Sequence, residues 1–197
     1  MGERLKPADE HNEAGYFEDL EVMQMHSAWL DELGFNFGTV SDRFPLDPTP
    51  WMMEDVATLV ARREARGRAW GLKPAGALYF WPAWQAALPR STVLVLPFRH
   101  PRGVTASYES GGGDAEWAEA LWSQLNRISL NAIDQGPFDH LVLDFDRPYE
   151  AVRRLADKLG SPVVDTYRDA LHHHRGGGAL SGELGVLYRE LRRRSSS

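Results

Sequence analysis

The chain has 197 residues, 43% of them hydrophobic and 25% charged, which is enough for one buried core and short for two. It contains no cysteine, which excludes disulfides, thiolate metal sites and cysteine nucleophiles. A formal charge of −6 argues against broad nucleic-acid binding, which needs a basic face.

No apolar run reaches the roughly 18–20 residues that cross a bilayer, and Met1-Gly2-Glu3-Arg4-Leu5-Lys6-Pro7 lacks the apolar stretch of a signal peptide. A soluble, cytoplasmic protein is therefore expected, with no membrane partner. Residues 1–14 are polar and expected to be loose. From Phe17 to Leu33, apolar residues at Leu20, Met23, Trp29, Leu30 and Leu33 alternate with charges, which predicts an amphipathic helix ended by Gly34. Three prolines between Phe44 and Pro50 mark a loop. Thr49-Pro50 then supplies an N-cap and a first turn for a helix to about Arg66.

Trp70-Gly71-Leu72 is a short apolar segment, expected as a buried strand. Val93-Leu94-Val95-Leu96-Pro97-Phe98 is the strongest strand signal, although its proline suits a strand end or a bulge. Pro101 to Ser110 reads as a helix broken by Gly111-Gly112-Gly113. Asp114 caps a long helix with Trp117, Leu121, Leu125, Ile128 and Ala132 on one face. Leu141 to Phe145 is a third strand, and Arg147 to Leu159 a helix stopped by Gly160 and Pro162. Residues 192–197 are expected to fray. Strands alternating with helices give an α/β class with a mostly parallel sheet, whose ligands bind beyond the C-terminal strand ends.

Arg99, His100 and Arg102 cluster just past the best strand, at the start of a helix whose N-terminus favours an anion. Ser107, eight residues beyond Arg99, adds a hydroxyl about two helical turns on. An arginine fork and a hydroxyl suit a phosphate monoester; a solvated helix edge is the plainer reading of the same residues.

The run Val93 to Pro101, with Ser107 after it, resembles the 3′-phosphate-binding segment of sulfotransferases that use 3′-phosphoadenosine 5′-phosphosulfate. Three further segments are similar to the bacterial branch, in the same order. Asn12 to Asp19 resembles its "GYFED" element, Trp70-Gly71-Leu72-Lys73-Pro74 its "LKDP" strand, and Leu171-His172-His173-His174-Arg175 its "LRHHR" segment. The resemblance covers roughly residues 10–175. It implies a single domain over 1–197, a three-layer parallel sheet of the P-loop sulfotransferase type, and Arg99 and Ser107 holding the 3′-phosphate of the donor or of adenosine 3′,5′-bisphosphate. It also implies sulfuryl transfer to a hydroxyl or amine on a small molecule or glycan, with Glu18 as general base and Lys73 stabilising the transferring group.

The departures bear on activity. An "RSGTS"-like loop that cradles the 5′-phosphosulfate would lie before Gly15 and is expected to be missing, with its strand. The aspartate expected after Lys73 is replaced by Pro74. The rival reading is a degenerate, non-enzymatic module that binds a 3′-phosphonucleotide or a protein. A homo-oligomer or partner chain is expected to cover the missing strand. Glu18 reads equally as a carboxylate favoured by a helix dipole, and Lys73 as an exposed lysine. The adjacent histidines 172–174 lack acidic partners at ligand spacing, so no metal is expected. Arg175-Gly176-Gly177-Gly178 reads either as a phosphate-binding run of N–H groups or as a loop. A kinase-like enzyme is disfavoured because phosphate-loop and magnesium-ligand patterns are both absent.

Overall fold

The computed structural model describes residues 4–8, 17–73, 76–162 and 176–196. The chain divides into two compact units, Met1–Pro89 and Arg90–Ser197. Among the described residues the class is mixed α/β, with seven α-helices and one two-stranded parallel sheet. No described helix is long and apolar enough to cross a membrane.

The first unit is helical. Helix α1 spans Leu20–Glu32 and begins where Asp19 accepts the Glu21 N–H at 3.1 Å. That cap, preceded by Phe17 at a φ of 57°, explains why the helix starts later than its apolar pattern. Val22, His26, Trp29 and Leu30 face inward at the i, i+4, i+7, i+8 spacing of one helical stripe. Helix α2, Pro50–Glu64, starts at the expected Thr49 cap, with Thr49 Oγ1 accepting the Met52 N–H, and buries Met52, Val56, Leu59 and Val60. A 3-10 turn, Ala77–Phe80, leads into α3, Trp81–Ala87, and both are additions to the sequence reading. Gly76 makes this turn possible: its φ is 75°, and a Cβ there would stand 2.6 Å from the Phe37 ring. Trp29 and Phe80 meet edge to face at 4.9 Å. Residues 4–6 run beside the start of α1, with Lys6 N–H donating to Glu18 O at 2.8 Å and Leu20 N–H to Arg4 O at 3.0 Å.

The strand expected at Trp70–Leu72 does not form; residues 69–73 carry no regular structure. Three apolar residues offer little ladder, and the Trp70 indole N–H instead donates to the Glu64 carboxylate at the end of α2. The local tie to the helix wins over pairing.

The second unit holds the sheet. Strands β1, Val93–Phe98, and β2, Asp139–Asp144, pair in parallel from Val93 opposite Asp139 to Phe98 opposite Asp144. Phe98 O accepts the Phe145 N–H at 2.8 Å, so Phe98 points its backbone at β2. Its neighbour Pro97 therefore turns its nitrogen to the opposite edge, where β1 has no described partner and a missing N–H breaks no ladder bond. Four helices surround the pair: α4 Pro101–Ser110, α5 Ala115–Gln135, α6 Pro148–Leu159 and α7 Gly182–Ser195. Phe98 and Val142 pack with Trp122, Leu130 and Ile133 of α5 and with Leu187 and Leu191 of α7. Leu141 and Leu143, on the other face of β2, pack with Ala151 and Leu155 of α6. Helices thus lie against both faces of the sheet.

Asp114 caps α5 as expected, accepting the Trp117 N–H at 2.6 Å. The buried stripe of α5 runs through Leu121, Trp122, Ile128 and Ala132, while Trp117 turns to the Tyr108 ring 5.0 Å away. The tail expected to fray from Arg192 is helical through Ser195, because Leu191 is fully buried and Arg194 forks onto Asp134 at 2.5 and 3.0 Å.

Candidate functional site

The site lies at the C-terminal ends of β1 and β2. Arg99 follows β1, and its carbonyl accepts the Trp122 indole N–H at 3.1 Å, which pins the strand end to α5. His100 caps α4: its Nδ1 accepts the Arg102 N–H at 3.2 Å. Its Nε2 lies 3.2 Å from Gly178 O, which can only accept, so both contacts are satisfied by the tautomer protonated on Nε2. Arg102 donates from Nη1 to Gly177 O and from Nη2 to Ala179 O, at 3.5 and 3.0 Å. A Cβ on Gly176 would fall 2.6 Å from His100 Cβ and 2.7 Å from Gly103 N, so only glycine lets this segment reach the helix start. The glycine run and Ala179 thus meet the basic cluster with carbonyl oxygens at Gly177, Gly178 and Ala179.

The anion position of α4 is occupied from within the chain. His100 N–H donates to Asp146 Oδ2 at 2.6 Å, and Asp146 N–H to Asp144 Oδ1 at 3.0 Å. Asp144 closes β2, is only 7% exposed, and places Oδ2 3.1 Å from Arg192 Nη1. Tyr188 packs its ring 4.7 Å from that of His100, and burial raises its hydroxyl above the ordinary phenol range. The Tyr188 hydrogen bond to Arg192 raises that guanidinium in turn. Asp144, Asp146, Tyr188 and Arg192 were all missed from sequence. The Asp144-Phe145-Asp146 pattern past an apolar strand was the one available signal.

Of the four residues singled out from sequence, Arg99 and Ser107 share one strand-to-helix passage. Arg99 is half-buried at its start; Ser107 is exposed on α4, six residues past Pro101 or roughly 9 Å along the helix. Glu18 and Lys73 belong to the first unit. Glu18 is half-buried next to the α1 cap, and Lys73 is exposed at the end of the irregular segment. Gly15, Tyr16, Pro74 and the segment Leu171-His172-His173-His174-Arg175 lie outside the described residues. Among the described residues, no group of three or more histidine or acidic side chains is placed to hold a metal ion. No family model, curated protein or solved structure matches this chain.

Proposed function

We propose that the second unit binds the 3′-phosphate of a 3′-phosphonucleotide through Arg99 and Ser107, as the resemblance to sulfotransferases implies. The observation that carries this reading is the position of Arg99, directly past the C-terminal end of a parallel strand and before the helix that bears Ser107. Parallel α/β sheets bind ligands at this end. The β1 run, with Val95 39% exposed beside an edge that has no described partner, supports the further reading that these strands belong to a larger three-layer sheet. In that reading the added strand brings the loop that grips the 5′-phosphosulfate. The activity that the resemblance implies is then sulfuryl transfer from 3′-phosphoadenosine 5′-phosphosulfate to a hydroxyl or amine, with Glu18 as base and Lys73 stabilising charge on the transferring group.

Titration calorimetry with adenosine 3′,5′-bisphosphate and AMP tests the reading. The bisphosphate binds and AMP binds at least tenfold more weakly. Arg99→Ala costs one to two powers of ten, since a charge-assisted hydrogen bond is worth about 1.5–3 kcal/mol. Equal affinity for the two nucleotides, or no binding to either, rejects it.

A non-enzymatic module is the second reading, favoured by the Asp146 carboxylate on the α4 N-terminus and by the commitment of Arg102 to carbonyls. Bisphosphate binding without sulfuryl transfer to any of a panel of hydroxyl and amine acceptors would select it.

A further inference from the structure

A separate cavity of about 290 Å³ opens in the first unit, lined by Arg63, Arg66, Arg68, Ala69 and Trp70. Its construction follows from how α2 ends. Gly67, at a φ of 62°, turns the chain back, and its N–H bonds Glu64 O at 2.9 Å. The Trp70 indole N–H then fastens to the Glu64 carboxylate, so residues 66–70 fold over the last turn and the indole forms a fixed wall. Arg63 lines the interior, only 4% exposed, and its Nη2 donates to Asp19 Oδ2 at 2.7 Å and to Glu21 Oε2 at 3.2 Å.

Both of those bonds leave from one nitrogen. A guanidinium has five N–H donors, and Nε and Nη1 of Arg63 make no hydrogen bond among the described residues. A nearly buried cation thus retains donor capacity beside a cavity that Arg66 and Arg68 also line. Among the described residues, Arg62 pairs with Glu21 and Arg63 with Asp19 and Glu21, while Arg66 and Arg68 line the cavity beside them. The C-terminal end of a helix ordinarily repels an anion. Here that effect is muted, because the carbonyls of Ala61, Arg63 and Glu64 are taken by the N–H groups of Ala65, Arg66 and Gly67.

We propose that this cavity is an anion site for a tetrahedral oxyanion, the phosphate or sulfate group of a small molecule. Arg63 and Arg68 are its donors, Arg66 part of its rim, and Trp70 its apolar wall. Planar guanidinium forks match the oxygen spacing of such groups, and the volume lies near the lower limit of ligand pockets.

The test follows the indole N–H resonance of Trp70, identified by its loss in Trp70→Phe, while the ¹⁵N-labelled chain is titrated with sodium phosphate or sodium sulfate. Sodium chloride at matched ionic strength serves as the reference. A saturable shift with phosphate or sulfate, absent with chloride, supports the site, and a preference for one anion names the group. Arg68→Ala weakens that response at least tenfold, whereas Arg99→Ala leaves it unchanged and so separates this cavity from the nucleotide site. Arg68 is exposed, so its replacement leaves the fold intact, as the unperturbed remainder of the spectrum verifies. A shift that chloride reproduces, one that Arg68→Ala leaves intact, or no shift with either oxyanion overturns the proposal.

Discussion

The backbone N–H of His100 donates to Oδ2 of Asp146 at 2.6 Å, so the helix after β1 begins with a carboxylate already seated on it. Asp146 in turn donates its N–H to Asp144, which pairs with Arg192 of α7. The ends of both strands, the start of α4 and the last helix are therefore one polar network. Any phosphate that Arg99 attracts arrives beside two carboxylates, and its affinity is set by that competition as much as by the arginine.

Replacing Asp146 by asparagine keeps an oxygen for the His100 N–H and removes the charge. Charge at a helix terminus is worth about 0.3–1 kcal/mol. Asp146→Asn should therefore strengthen adenosine 3′,5′-bisphosphate binding roughly two- to fivefold, measured by calorimetry at low salt. Unchanged or weaker binding would place the phosphate away from the α4 start.

The buried pair of Asp19 and Arg63 organises the first unit. Asp19 serves two partners, its Oδ1 capping α1 and its Oδ2 holding Arg63. Asp19→Asn retains the cap and leaves the arginine with Glu21 alone. Breaking a buried pair from one side costs about 3–5 kcal/mol, and the remaining Glu21 contact puts this case at the low end. In a unit of this size the melting temperature should fall by at least about 10 °C. Adding Arg63→Met should cost much less than the sum of the two changes, and strict additivity would refute the coupling.

What was legible follows from the kind of signal each element carries. Strand β1 announced itself because six consecutive apolar residues have few other destinations, and α2 because Thr49-Pro50 is a local start signal. Arg99 was legible because a strand end fixes its position. Trp70–Leu72 misled because apolar character alone does not say whether a side chain pairs in a sheet or ties back to a helix, and the tie is a contact with Glu64. The 3-10 turn and α3 were invisible for a related reason. Gly76 precedes that stretch and Pro82 interrupts it, and its fold rests on Tyr79, Phe80 and Trp84 filling the core. The tail from Arg192 was expected to fray, yet Arg192 and Arg194 find Asp144 and Asp134, 48 and 60 residues away. Long-range pairing of charges leaves no local pattern.

His26 is fully buried among Trp29, Phe80 and Trp84, and its Nε2 accepts the Trp84 indole N–H at 3.0 Å. His26→Leu strands that donor in the core, at a cost of about 1–3 kcal/mol in a denaturant melt. Combining it with Trp84→Phe removes both polar groups and should recover part of the loss relative to additivity. If the double variant is as unstable as the two changes summed, the indole is bonded elsewhere in solution.

The docking of α7 should depend on acid in a defined window. Hydrogen bonds from Arg193 and Arg194 pull Glu190 from its ordinary 4.5 down to about 2, and the Arg194 fork holds Asp134 below the ordinary carboxylate range. Carboxylates with depressed values stabilise the fold above their unfolded pKa and lose that contribution as pH falls through the folded one. Stability should therefore be flat above about pH 5 and decline between roughly 4.5 and 2. Both carboxylates sit near solvent, so the effect is small, on the order of 1 kcal/mol or less per pair, and salt should screen it. Amide hydrogen exchange across α7 at pH 5 and pH 3, each corrected for intrinsic rates, reads the effect where it arises. Protection should fall at pH 3, fall less in 0.5 M salt, and lose most of its pH dependence when Arg193→Ala and Arg194→Ala are combined, which frees both Asp134 and Glu190. A pH dependence that survives the double variant undiminished would assign the acid sensitivity to other carboxylates.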